Sequence, residues 1–199
     1  MSTGLQRLKE IVTQSSFYRS PNYSINANFK RMFHPAGSLI SYNSRVEVLA
    51  EQNELKPDEV VRALTPEFQR SNARWSQAMQ IQFVENLLCG CETKIQLYDV
   101  GERGGKLDDC LILDGLQRLT AIAAFHNGEF AVFDELFWND LNGNGIFPTL
   151  KILVNIYTFG SDLEACKFYI QMNKGITHSE QDLKTAYDFI RKHEPTNEW

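Results

Sequence analysis

Leu111-Ile-Leu-Asp114-Gly115-Leu116-Gln117-Arg118-Leu119-Thr120-Ala121 is the stretch from which the rest of the chain can be read. Three aliphatic residues make a short buried strand. Asp114-Gly115 ends it, and Leu119, Ile122, Ala123 and Phe125 recur at helical spacing up to a stop at Asn127-Gly128. A strand that turns on a glycine into a helix has a definite chemical use. The helix start offers amide N–H groups without intrahelical acceptors and the positive end of the backbone dipole. Gly115 would let a phosphate approach the backbone closely. Arg118, one turn in, carries a planar guanidinium that forks onto phosphate oxygens. Gln117 can donate or accept beside it, and Asp114 can hold Mg²⁺ or orient a water. The residues alone leave a plainer alternative open, with Asp114 as an ordinary helix cap and Arg118 as a surface charge.

Outward from this stretch, strands and helices alternate. Ile95 to Val100 reads as a strand, as does Lys151 to Phe159 with Ile152, Val154 and Ile156 on one face. Phe130 to Phe133 reads as a further short strand. Trp75, Met79, Phe83 and Leu87 recur every four residues, which predicts a helix capped by Ser71 or Asn72, stopped by Gly90, with Trp75 in the core. Asp162 to Met172 predicts another helix. A last one is expected to run to about Arg191 behind a Thr177/Glu180 capping box. Leu5 to Val12 and Ser44 to Glu54 have helical character, and Ser15 to Ser41 reads as irregular. The expected fold is therefore a compact α/β (α+β) domain, a short mixed sheet flanked by helices. Residues 1–55 form an extension packed on the core, and residues 56–199 form the main domain.

The 199 residues carry 43% hydrophobic and 23% charged side chains, an ordinary globular balance. Twenty-five acidic against 20 basic residues give a net charge of −5, which argues against bulk nucleic-acid binding while allowing a local basic cleft. No apolar run reaches a membrane span, and the start of the chain lacks a signal-peptide pattern. The expectation is a cytoplasmic protein whose four cysteines are reduced thiols, not bridges or a metal site. Gly101-Glu-Arg-Gly-Gly-Lys106 is one residue short of a P-loop and reads as a hairpin turn. Asp140-x-Asn142-x-Asn144-Gly145 begins like a calcium loop, but Lys151 stands where a bidentate Glu belongs, so a turn is expected.

Asp114-Gly-Leu-Gln-Arg-Leu-Thr120 is similar to the DGQQRLT signature of the ParB-like domain in GmrSD-type modification-dependent restriction enzymes. Gly115-x-x-Arg118-x-x-Ala121 resembles the GxxRxxA core of the wider ParB/sulfiredoxin-like superfamily. Two more blocks resemble that branch in order and spacing: Pro66-Glu-Phe-Gln-Arg70 followed by Trp75, and Phe168-Tyr-Ile-Gln-Met-Asn-Lys-Gly175. The resemblance spans about Val60 to Tyr187. It implies a nucleotide site in which Asp114, Gln117 and Arg118 do the chemistry with Mg²⁺ on Asp114. Phosphate contacts would come from Gly115, Arg118, Thr120, Gln69, Arg70, Asn173 and Lys174. The residues themselves also permit Gln69 and Arg70 to be loop ties and Asn173 a helix cap. The resemblance further implies NTP hydrolysis tied to DNA cleavage, nicking or switching, in restriction or phage–host conflict. Leu116 departs from the motif, standing where its first glutamine would be, which weakens or alters the expected catalysis. No His-Asn-His nuclease segment follows, so cleavage would need a nuclease or host-protein partner or would occur at the ParB-like site. A non-catalytic module that binds nucleotide or DNA phosphate, or inhibits a host protein, is the competing expectation.

Overall fold

The computed structural model describes residues 4, 6, 7, 19–33, 56–69, 75–100, 110–142, 150–174 and 179–195. The helices expected at Leu5–Val12 and Ser44–Glu54, the Gly101–Lys106 turn, Asn144-Gly145, Thr177 and Arg70 lie wholly or largely outside these residues.

Among the described residues four strands form one mixed sheet: β1 (Tyr23–Asn28), β2 (Lys94–Val100), β3 (Leu111–Asp114) and β4 (Lys151–Phe159), in the order β1-β4-β2-β3. β4 pairs antiparallel with β1 and parallel with β2, and β3 returns antiparallel along β2. The α+β fold with a short mixed sheet is as the residue pattern predicts. β1 is a correction, because Ser15–Ser41 was expected to be irregular. Tyr23-Ser-Ile-Asn-Ala-Asn28 has too many polar residues to look like a strand, yet it pairs along β4 from Tyr23↔Ile156 to Asn28↔Lys151. An edge strand needs only one apolar face, and here neighbours supply the rest. Asn22 donates its amide to Ile156 and accepts the amide of Thr158 on its side chain. Arg19 pairs with Glu164 and sits over the Phe159 ring.

Among the described residues six α-helices flank the sheet: α1 (Pro57–Ala63), α2 (Gln77–Leu88), α3 (Leu116–His126), α4 (Trp138–Asn142), α5 (Asp162–Asn173) and α6 (Glu180–His193). Strand alternation divides the interior into two layers. Ile95, Leu97, Ile112, Ile152, Val154 and Ile156 face α1, α2 and α3, with Phe29, Phe33, Phe125 and Trp138 in the same core. Tyr98, Leu111, Leu113, Tyr157 and Phe159 face α5 and α6. β2 is buried on both faces over Ile95–Asp99, as a central strand in a three-layer arrangement must be.

Several element ends differ from expectation for identifiable reasons. Ser76, not Ser71 or Asn72, caps α2 by accepting the Met79 amide, so Trp75 lies before the helix and the buried stripe rotates to Val84 and Leu87. Met79 is left 51% exposed. Phe130–Phe133 is not a strand of the sheet. Val132 and Leu136 exchange both backbone hydrogen bonds around a tight turn in which Phe133 and Asp134 take φ of 50° and 68°. The capping box of α6 is Ser179 with Asp182, each bonding the other's amide.

His126 ends α3 inside the first core, stacked 3.7 Å from Trp138 and edge-on to Phe29 and Phe33. Burial pushes its pKa down to about 3, so the fold holds a neutral imidazole. The unfolded chain takes up a proton near pH 6.5 that the folded chain refuses. The stability is therefore complete above pH 6.5 and is lost as pH falls from there towards 3. At pH 5 the loss is about 2 kcal/mol. In urea denaturation the stability difference between wild type and His126→Phe should be constant above pH 7 and shift steadily below 6.5, the wild type weakening more.

Candidate functional site

β3 delivers Asp114 to the edge of the sheet, opposite Gln96 on β2. Gly115 then turns the chain into α3 with φ of +100°, a left-handed backbone that side chains resist. A Cβ there would lie 2.8 Å from Ile95 Cδ1 and 3.5 Å from Ile95 Cα, so the tip of the Ile95 side chain would have to move while the strand backbone would not. Gly115, not Asp114, is the cap of α3, and its missing side chain leaves the helix start uncovered. Asp114 is therefore not the plain helix cap that the residues alone allowed.

Arg118 folds back from the first turn of α3. One guanidinium nitrogen donates to the carbonyl of Lys94 on β2, and the other donates to Asp114 Oδ2 at 3.1 Å. Both side chains are about three-quarters buried, at 28% and 24% exposure. Thus Arg118 is neither loose in solvent nor sealed away. It forms one wall of a cleft of about 550 Å³ lined also by Gln69, Trp75, Gln96, Tyr169 and Asn173. A second hollow of similar size continues past Lys94 and Arg118 towards Asn26, Lys151 and Leu153.

Three distant segments supply the remaining walls. Gln69 follows α1 in a turn closed by its own amide on Pro66. Its side-chain nitrogen donates to the carbonyls of Ile112 at 3.3 Å and Leu113 at 2.8 Å. It therefore ties the loop to β3 and lines the cleft at once. Asn173 is the last residue of α5 and donates to the carbonyl of Tyr169 at 2.8 Å, while Lys174 holds the cap position. Trp75 packs edge-on against Phe83, and its backbone N–H donates to Gln117 Oε1 at 3.3 Å.

Asp114, Gly115, Gln117, Arg118, Gln69 and Asn173 are thus brought around one cleft. Two of the expected phosphate ligands are not. Thr120 bonds back to the Leu116 carbonyl within α3, and Lys174 is exposed beyond the end of α5; neither lines the cleft. Leu116 is buried, with its side chain in the first core. Lys94, Gln96, Tyr169 and Met172 also line the cleft, and Trp75 lines it while packing against the first core. The available signal for Gln96 was a carboxamide inside the otherwise strand-like Ile95–Val100 run.

Among the described residues no three or more His, Cys, Asp or Glu side chains cluster as a metal cage. Asp114 is one carboxylate with one oxygen engaged by Arg118. That donor set fits a Mg²⁺ ion that keeps its waters and arrives on phosphate oxygens. Burial pushes Cys166 up to about 12 and leaves it a thiol. Among the described residues no helix is long and apolar enough to cross a membrane. Comparison with protein-family models, curated proteins and solved structures finds no match to this chain.

Gly115→Ala should cost about 1–3 kcal/mol through the left-handed backbone and the contact with Ile95. A lowered urea midpoint at unchanged slope would be the measurement.

Proposed function

We propose that the cleft binds a nucleoside triphosphate or a related phosphate ester and hydrolyses it, as the resemblance to DGQQR-type ParB-like domains implies. The observation that carries this reading is the Arg118 guanidinium fixed at the uncovered start of α3 beside an open cleft. Guanidinium carries five N–H donors, and two are committed to Lys94 and Asp114. The rest can meet phosphate oxygens without the side chain moving. The amides at the start of α3 add donors, Gly115 allows them close approach, and the Lys94 side chain adds a second positive charge.

The same arrangement suits charge developing on a phosphoryl group under attack by water. Donors already held in place stabilise that charge without reorganising. Asp114 has its second carboxylate oxygen to orient the water or take a water of the metal. Bound Mg²⁺ would neutralise phosphate charge and align the leaving group. DNA, or a nuclease or host protein acting downstream of the bound nucleotide, belongs to the same proposal.

One observation favours a second reading, a module that binds the phosphate ester without turning it over. Leu116, buried in the first core and part of the cleft lining, is apolar where the similar motif has a glutamine, so the site has one polar group fewer.

Titration with nucleoside triphosphates and Mg²⁺, followed by calorimetry and by phosphate release, separates the two. Arg118→Ala should weaken binding about 10- to 100-fold, the loss expected for hydrogen bonds to a charged group. Asp114→Asn keeps an oxygen for Arg118, so it should retain binding while phosphate release falls at least 100-fold. Binding with no release in the wild type establishes the second reading. Absence of binding to any nucleotide or other phosphate ester removes both.

A further inference from the structure

The floor of the cleft contains two polar atoms that the folded protein leaves unanswered. Gln96 is 6% exposed on the central strand β2, and its Oε1 is buried without a hydrogen-bond partner. Gln117 Nε2 is buried and likewise unpartnered. Both side chains line the cleft. Buried carboxamides left unpaired are costly, and such atoms in a native fold call for a ligand, a water or a strain account.

Their neighbours define what chemistry they offer. Gln117 Oε1 accepts the Trp75 amide, so its nitrogen end is the one left to donate. Gln69 turns its nitrogen to the carbonyls of Ile112 and Leu113, so its oxygen is the end left to accept. Gln96 adds a carboxamide free to take either sense. The cleft therefore presents a fixed donor and a fixed acceptor around a third, adaptable amide. None of the three carries charge, which makes them poor phosphate ligands and good partners for a neutral planar edge with a donor beside an acceptor. Nucleobases have such edges, and glutamine is a regular partner for them.

We infer that Gln96, Gln117 and Gln69 form a base-reading floor, so that the ligand is a nucleotide held by its base at the carboxamides and by its phosphates at Arg118 and Lys94. This rests on the phosphate-ester reading above and adds to it a recognised base.

The test compares inorganic tripolyphosphate with ATP, CTP, GTP and UTP, each with Mg²⁺, by calorimetry on the full chain. At least one nucleoside triphosphate should bind tenfold or more tighter than tripolyphosphate. Gln96→Met, close in shape but without the amide, should weaken that nucleotide about fivefold to tenfold and change tripolyphosphate less than twofold. It should also raise the melting temperature of the free protein by about 2–4 °C, because an unpaired buried group is gone. Gln117→Met is the independent second variant, with the same split between nucleotide and tripolyphosphate. Equal binding of tripolyphosphate and all four nucleotides overturns the base-reading floor and leaves the phosphate site standing. So does unchanged nucleotide affinity in both variants. If neither tripolyphosphate nor any nucleotide binds, the phosphate site fails and the base-reading floor fails with it.

Discussion

The Arg118 guanidinium joins three separate pieces of chain: the start of α3 from which it springs, the Lys94 carbonyl on β2, and the Asp114 carboxylate at the end of β3. Each contact constrains another. Asp114 must end its strand beside β2 for the pair to form, and Gly115 must turn left-handed, with no side chain to meet Ile95, for α3 to begin close enough. The positive charge sits where solvent, sheet and helix meet. Its position comes from backbone geometry, which is stiffer than a pair of flexible side chains would be.

The cleft lies where the second core layer stops. Tyr98 and Tyr157 are sealed under α5 and α6, whereas Lys94 and Leu153, nearer the other end of the same strands, are exposed. α5 ends at Asn173 over this gap and lends Tyr169 and Met172 to its wall. The hollow is therefore a consequence of helix length. Gln96 faces it from a strand that is otherwise interior, which is how a polar amide comes to sit in nearly buried surroundings.

Much of this could be read beforehand because it depends on local chemistry. The strand, glycine turn and helix around Asp114–Arg118 follow from aliphatic spacing and a breaker, and β4 from its alternation. β1 could not be read that way, because its pairing is decided by β4, more than a hundred residues on. Trp75 continues a four-residue period and packs against the first core as that period suggests, but the helix starts only after Ser76, so Trp75 lies ahead of it and also reaches the cleft wall. Gln69 and Asn173 belong to short blocks similar to a known family and line the cleft, whereas Thr120 and Lys174 come from the same blocks and are not part of its lining. Linear spacing says which residues are near in the chain, and the cleft is built from residues that are not.

The sheet order sets a timetable for synthesis. β1 leaves the ribosome first, yet the strand it hydrogen-bonds, β4, is made last of the four. Until residue 159 has emerged, neither β1 nor the inner edge of β2 has its neighbour, and both remain open to pairing with other chains. From the completion of β2 until β4 emerges the nascent protein thus carries two adhesive edges, and a single late strand closes both.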